Sequence, residues 1–236
     1  MLFVVASIAT LILFIIIKSL VFANSVSEST VFENKSSDRF YLNEEYDPGD
    51  PMITQKLELK DIINGPIITN IEPTLGNFDA PIVIVVYSDY ICSFCREQEE
   101  VIKQIMNEYE GEIRFVWKDF PEPDVDSISW LSAKAARCTG EQNLYWEYHD
   151  KLFSNNEITK DFLLKIAKEI GAENNSFNDC LLDEKYDNII TDNIVEANAL
   201  GINGIPFMFV NDKEILGGTT YEELKEIIDN ELLNVE

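Results

Sequence analysis

The sequence predicts an α/β protein: a mixed central sheet flanked by helices, interrupted by an inserted helical domain and preceded by an apolar N-terminal helix. Three observations predict this. Residues 82–87, Ile-Val-Ile-Val-Val-Tyr, are apolar on both faces, which suits a central strand covered on both sides. Helical periodicity then dominates from 127 to about 200. Strand-like runs return only at 206–210 and 214–216, so a helical block separates two parts of one sheet.

Taken in order, Leu2 to Ile17 carries no charged side chain, Lys18 follows, and Val21 and Ala23 suit a signal-peptidase site before Asn24. Leu2 to Ala23 is also long enough to span a bilayer as a helix. Residues 1–23 therefore read as a signal peptide or a membrane anchor, and both place the rest of the chain outside the cytoplasm, periplasmic or at the cell surface. Residues 24–60 form a polar, acidic linker broken by Asp47-Pro48-Gly49-Asp50-Pro51. The folded domain is expected over 61–236, with the helical insertion at about 127–200.

Within that domain a first short strand is expected around Pro66-Ile67-Ile68-Thr69, and Leu75 to Pro81 reads as a turn feeding the central strand. A helix from Arg96 to Glu110 is stopped by Gly111, and Ile113-Arg114-Phe115-Val116-Trp117 alternates as a further strand. Helices are expected at Ile128–Cys138, Asn143–Phe153, Lys160–Ile170, Ser176–Leu182 and Tyr186–Leu200. A hairpin turning at Asn211-Asp212-Lys213 leads to a closing amphipathic helix, Tyr221–Leu233, capped by Thr219 or Thr220.

With 18 Lys and Arg against 43 Asp and Glu, the net charge is −25, which excludes a nucleic-acid partner because phosphate binding needs clustered basic residues. Excess acid serves solubility, and basic or unfolded proteins are the easier partners.

Four cysteines suit two bridges in an oxidising compartment. Cys92-Ser93-Phe94-Cys95 directly follows the central strand and opens a helix. Helix N-terminal N–H groups and the positive end of the macrodipole favour a thiolate there, and the spacing lets the pair close as a disulfide or open to a dithiol. Zinc would require two close cysteine pairs; Cys138 and Cys180 stand apart, and the sole histidine, His149, does not complete a set, so no metal is expected.

These residues resemble the DsbA-like branch of the thioredoxin fold. The resemblance is carried by Gly76-Asn77-Phe78-Asp79-Ala80-Pro81, the apolar strand, Ser88-Asp89-Tyr90 and the Cys92–Cys95 pair. It continues through Ala135 to Gln142, Trp146 to Phe153, Gly201 to Phe207, Val210-Asn211 and Tyr221 to Leu224, spanning roughly 74–233.

The resemblance implies a thiol:disulfide oxidoreductase with Cys92 as nucleophile and Cys95 as resolving thiol. Ile205-Pro206 resembles the family's cis-proline loop, with Ile205, Ser93 and Phe94 in contact with substrate. No cofactor is needed beyond the redox-active disulfide; the implied partners are unfolded or thiol-bearing proteins and a membrane redox partner that recycles the pair. Neither Ser93 nor Phe94 is charged and no histidine lies between the cysteines, which suggests a moderate oxidant. Cys138 and Cys180 match a second family pair and read as a structural disulfide, with two buried thiols or an auxiliary redox pair as alternatives.

Val86 stands where many relatives carry a buried acid six residues before the first cysteine, leaving Asp89, Glu97 or a water to take the resolving thiol's proton. Asp89 also reads as a turn or capping residue. His149 reads as a packing or surface residue, and Trp117, Trp130, Phe207 and Phe209 as core. An oxidase in oxidative folding is the expected function; a reductase or isomerase of the same fold and a non-catalytic binding module are the alternatives.

Overall fold

The computed structural model describes residues 58–235. The expected signal peptide or membrane anchor at 1–23, and the expected linker as far as residue 57, lie outside the described residues. Among those described, no helix is long and apolar enough to cross a membrane.

Five strands form the central sheet: β1 (Thr74–Gly76), β2 (Ile82–Ser88), β3 (Ile113–Asp119), β4 (Phe207–Val210) and β5 (Lys213–Leu216), in the order β1-β3-β2-β4-β5. Only β2 and β3 pair in parallel, and α1 (Ser93–Glu108) supplies the long crossover that a parallel pair requires. Gly111, with φ +85°, takes the left-handed conformation after α1 that lets the chain turn into β3.

Two expectations about strands are corrected. Residues 66–69 are irregular, because side chains take up their backbone groups: Ile67 N–H donates to Glu196 Oε1 at 3.0 Å and its carbonyl accepts from Lys118 Nζ at 2.7 Å. The first strand is instead β1, within the segment read as a turn, antiparallel to β3. Gly76 makes this possible, since its φ is +90° and a Cβ would stand 2.2 Å from the Ile113 carbonyl oxygen. β3 forms where the alternation placed a strand, runs on to Asp119 and is buried throughout, Arg114 and Lys118 included, because it lies between β1 and β2 under helices.

The insertion comprises α2 (Ile128–Gly140), α3 (Tyr145–Phe153), α4 (Lys160–Glu169), α5 (Asn174–Leu182) and α6 (Lys185–Ala199); α7 (Tyr221–Val235) closes the chain. Thr220 caps α7 reciprocally: its Oγ1 accepts from Glu223 N–H at 3.2 Å and its own N–H donates to the Glu223 carboxylate at 2.9 Å. Cys138 on α2 and Cys180 on α5 are joined by a disulfide, with Cα atoms 5.7 Å apart.

One face of the sheet, through Ile84, Val86, Phe115 and Trp117, packs on Ile102 and Ile105 of α1, Ile228 of α7 and the insertion. The other, through Val83, Val85, Tyr87 and Phe209, packs on Ala197 of α6 and Ile202. Below the sheet's end, Lys118 Nζ lies 3.1 Å from both Glu72 and Glu196, while Arg137 joins Glu72 at 2.9 Å and Asp119. Each charge of this cluster is thereby paired.

Candidate active site

β2 delivers the chain to the head of α1 through four residues, Asp89, Tyr90, Ile91 and Cys92, that belong to neither strand nor helix. Asp89 shapes this loop: its Oδ1 accepts from Ile91 N–H at 3.1 Å, its carbonyl from Cys92 N–H at 3.2 Å, and its Oδ2 from Ser129 Oγ on α2 at 2.8 Å. Burial pushes its carboxyl above the ordinary range, and the hydrogen bonds from Ile91 and Ser129 oppose that.

Cys92 is the N-cap of α1, in extended conformation, with its sulfur accepting Cys95 N–H at 3.1 Å. No acidic residue occupies the first turn of α1, so no like charge opposes an anion at that end. Cys92 is half-buried, with exposed Ser93 beside it and Phe94 66% exposed, an apolar group offered to solvent at the mouth of the site.

Cys95 is 2% exposed. Burial pushes its thiol well above the ordinary value and hydrogen bonding with Cys92 adds to this, whereas the Ser88 side chain and the Asp89 backbone pull it back. Val86 is buried, and Glu97 faces solvent on α1, so neither stands by as a buried acid. Ser88 and the backbone of Asp89 are the polar groups at the Cys95 sulfur. Ser88 ends the apolar run, a position whose only sequence signal is the change from apolar to hydroxyl.

Pro206 directly precedes β4, whose first residue, Phe207, pairs with Tyr87 of β2, next to Ser88 at the strand's end. The Ile205–Pro206 peptide is cis, and the Pro206 carbonyl accepts from Gly217 N–H at 2.9 Å. Ile205, Cys92 and Cys95 border one apolar cluster, so the sheet brings the proline loop and the cysteine pair to the same end of β2. The Cys138–Cys180 bond lies within the insertion, apart from this arrangement.

Arg96 was not among the candidate residues. It follows Cys95 on α1 and reaches across to the insertion, its Nη1 donating to the carbonyls of Leu152 (3.3 Å) and Phe153 at the end of α3, and its Nη2 to Tyr90 at 3.4 Å. Glu99, one turn beyond Cys95, and His149 on α3 are both buried; His149 is in the interior, not on the surface.

A mixed sheet with an α1-borne Cys-x-x-Cys and an adjoining cis-proline loop defines a thioredoxin-fold protein of the thiol–disulfide oxidoreductase class. The chain matches the family model Thioredoxin_4, described as thioredoxin, over residues 69–230, and belongs to that family. Among solved structures, the thiol-disulfide exchange protein alpha-DsbA2 of Wolbachia pipientis is 27% identical with a TM-score of 0.61, covering 67% of this chain and 86% of that one. Oxidised BdbD of Bacillus subtilis is 25% identical with a TM-score of 0.62, covering 69% and 93%.

Among curated proteins, the "Probable disulfide bond formation protein D" of Bacillus cereus is 26% identical over 186 residues, 73% of this chain and 84% of the relative. The Na(+)/H(+) antiporter NhaA 3 of Salinispora tropica is 27% identical over 164 residues, 69% of this chain; the match spans 25% of the antiporter's length.

Proposed function

We propose that the protein is an extracytoplasmic thiol:disulfide oxidase that donates the Cys92–Cys95 disulfide to thiol-bearing proteins during oxidative folding. The asymmetry of the pair carries this reading: Cys92 caps the helix within reach of solvent and receives an N–H at its sulfur, whereas Cys95 is enclosed behind it. The disulfide-formation role in the name of the Bacillus cereus relative supports the oxidase direction, and the Cys138–Cys180 bond and apolar leader favour an oxidising compartment.

The electrons balance as follows. A substrate thiolate attacks Cys92 Sγ in the oxidised pair, forming a substrate–Cys92 disulfide and releasing Cys95 as thiolate, which takes a proton. A second substrate thiolate attacks the substrate sulfur of the mixed disulfide, and Cys92 leaves. The substrate loses two electrons as its disulfide forms, and the pair gains them as a dithiol. No cofactor enters. A membrane redox partner then withdraws the two electrons and closes the pair again.

Ser88 and the Asp89 backbone hold the sulfur of Cys95 as it leaves, taking the place in this chain of an acid at Val86. Ser93, Phe94 and Ile205 form the contact surface for substrate, with the Pro206 loop aligning an extended segment beside Cys92.

Equilibration of the full chain with glutathione buffers tests the reading. A potential near about −120 mV supports the oxidase, one near about −270 mV the reductase of the same fold. Disulfide exchange surviving undiminished in Cys92→Ser would take Cys92 out of the chemistry and overturn the enzyme reading.

A further inference from the structure

Beside the redox pair, α1 and α3 meet at a cluster that the exchange chemistry does not use. His149 on α3 is 0% exposed, and neither ring nitrogen makes a hydrogen bond. Its Nδ1 lies 3.9 Å from Glu99 Oε1 and 3.7 Å from Asp150 Oδ1, both beyond hydrogen-bonding range. A buried imidazole without a partner is uncommon enough to require an explanation.

The three side chains bring one ligand atom each to within 4.8 Å of the other two. Glu99 is buried, on the turn of α1 after Cys95, whereas the Asp150 side chain is 60% exposed, so the cluster opens to solvent on one side only. Tyr90, Trp117, Trp146 and Phe153 enclose the imidazole on the other, with ring centroids 4.8–5.5 Å away.

We propose that Glu99, His149 and Asp150 form a binding site for a divalent transition-metal ion of the zinc class, held by His149 Nδ1 and one oxygen of each carboxylate, with a fourth position open to water beside Asp150.

Ligand chemistry, spacing and charge agree on this. Imidazole with carboxylate is a borderline donor set that suits zinc, and three protein ligands with an open fourth position is a recurrent zinc arrangement. Ligands about 2.0–2.1 Å from a tetrahedral ion stand roughly 3.3 Å from one another. The Nδ1 separations of 3.7 and 3.9 Å therefore need to close by about half an ångström, and the two carboxylate oxygens, within 4.8 Å of each other, by at most about 1.5 Å, within side-chain reach. With its proton on Nε2 toward the aromatic shell, the ring leaves the Nδ1 lone pair to the ion.

Two carboxylates balance a dication. Among the described residues the competing cation is Lys103, whose Nζ sits 3.0 Å from Asp150 Oδ1; it is partly exposed and free to turn into solvent. An ion here fastens the helix that carries Cys95 to the inserted domain, linking bound metal to the stability of the redox end of the fold.

The test uses the full chain with the Cys92–Cys95 pair oxidised, because a free dithiol would bind zinc itself. Zinc chloride is titrated by calorimetry, and bound metal is counted by elemental analysis after passage over chelating resin. One zinc per chain, a thermal midpoint that rises with zinc, and at least tenfold weaker binding in Asp150→Asn and His149→Gln support the site. Asp150 is exposed, so its variant keeps the readout even if His149→Gln fails to fold. No retained zinc in the oxidised wild type, or undiminished binding in Asp150→Asn, overturns it.

Discussion

The backbone N–H of Cys95 points at the sulfur of Cys92 across 3.1 Å, while the sulfur of Cys95 is itself enclosed by β2 and the loop that follows it. One peptide group thus serves the exposed member of the pair from the buried one. The two thiols are adjacent in space and opposite in accessibility.

That asymmetry predicts selective modification. In the reduced, folded protein, iodoacetamide is expected to label Cys92 alone, and Cys95 only after denaturant is added. Cys95→Ser is expected to accumulate a mixed disulfide with a model peptide at Cys92, while Cys92→Ser forms none and loses exchange to background. Peptide mass spectrometry reads both outcomes; equal labelling of the two thiols in the folded state would contradict the geometry.

Burial raises the Cys95 thiol, and this fixes the sign of a pH effect. In the unfolded chain a cysteine begins to lose its proton near pH 8.5, whereas the folded protein keeps the Cys95 proton to higher pH. Between those values the folded state binds more protons, so stability is full below about pH 8.5 and falls as pH rises, by at most about 1.4 kcal/mol per pH unit. Urea midpoints of the reduced protein from pH 7 to 9.5 should show this slope, and Cys95→Ser should flatten it.

The Cys138–Cys180 bond closes a sequence separation of 42 residues between α2 and α5. A loop of that length restricts the unfolded chain by about 4 kcal/mol in the chain-entropy model. Cys138→Ser/Cys180→Ser is expected to lose roughly that much in denaturant unfolding while retaining exchange at low temperature. Lost exchange in a folded double variant would reassign the pair to the chemistry.

What could be read from the chain beforehand was what is local. β2 declares itself because an apolar run needs only its own side chains to be recognised, and the cysteine pair because its spacing, strand and helix are contiguous. Thr220 declares its cap through Glu223, three residues on. The misreadings have a tertiary cause. Ile67 looks like a strand residue but gives its backbone to Glu196, 129 positions away, and the full burial of Lys118 in β3 is not visible locally because its partners, Glu72 and Glu196, lie 46 and 78 positions away. Arg96 escaped for the same reason: two of the carbonyls it serves, those of Leu152 and Phe153, lie 56 and 57 positions away, and no short motif records them.

Lys118 is the test of that long-range network. It is almost fully buried between Glu72 and Glu196, and Glu196 also accepts from the Tyr87 hydroxyl. Lys118→Met leaves two carboxylates without their shared cation, and removal of one partner of a buried pair costs about 3–5 kcal/mol. Adding Glu196→Gln should recover part of the loss, because one orphaned charge goes with it. A double-mutant cycle from urea unfolding measures the coupling; independent, additive losses would place the charges outside one network.

Arg96 joins the redox helix to the insertion, and its loss should be felt in both. Its guanidinium meets the carbonyls of Leu152 and Phe153, which end α3, and that of Tyr90 in the loop before Cys92. A cation at a helix C-terminus satisfies carbonyls that have no partner within the helix and opposes the negative end of its dipole. Hydrogen bonds to a charged group contribute about 1.5–3 kcal/mol, so Arg96→Met should lower stability by that order. Arg96→Lys should recover only part, because an ammonium cannot spread its donors over three carbonyls as the planar fork does. The discriminating measurement is local. Hydrogen exchange should accelerate at the C-terminal turn of α3 and in residues 89–92, while β2 and β3 stay protected. Because the Tyr90 carbonyl anchors the loop that presents Cys92, disulfide exchange should slow in proportion to that loosening. Unchanged protection in both segments would reduce Arg96 to a surface residue that happens to lie along the junction.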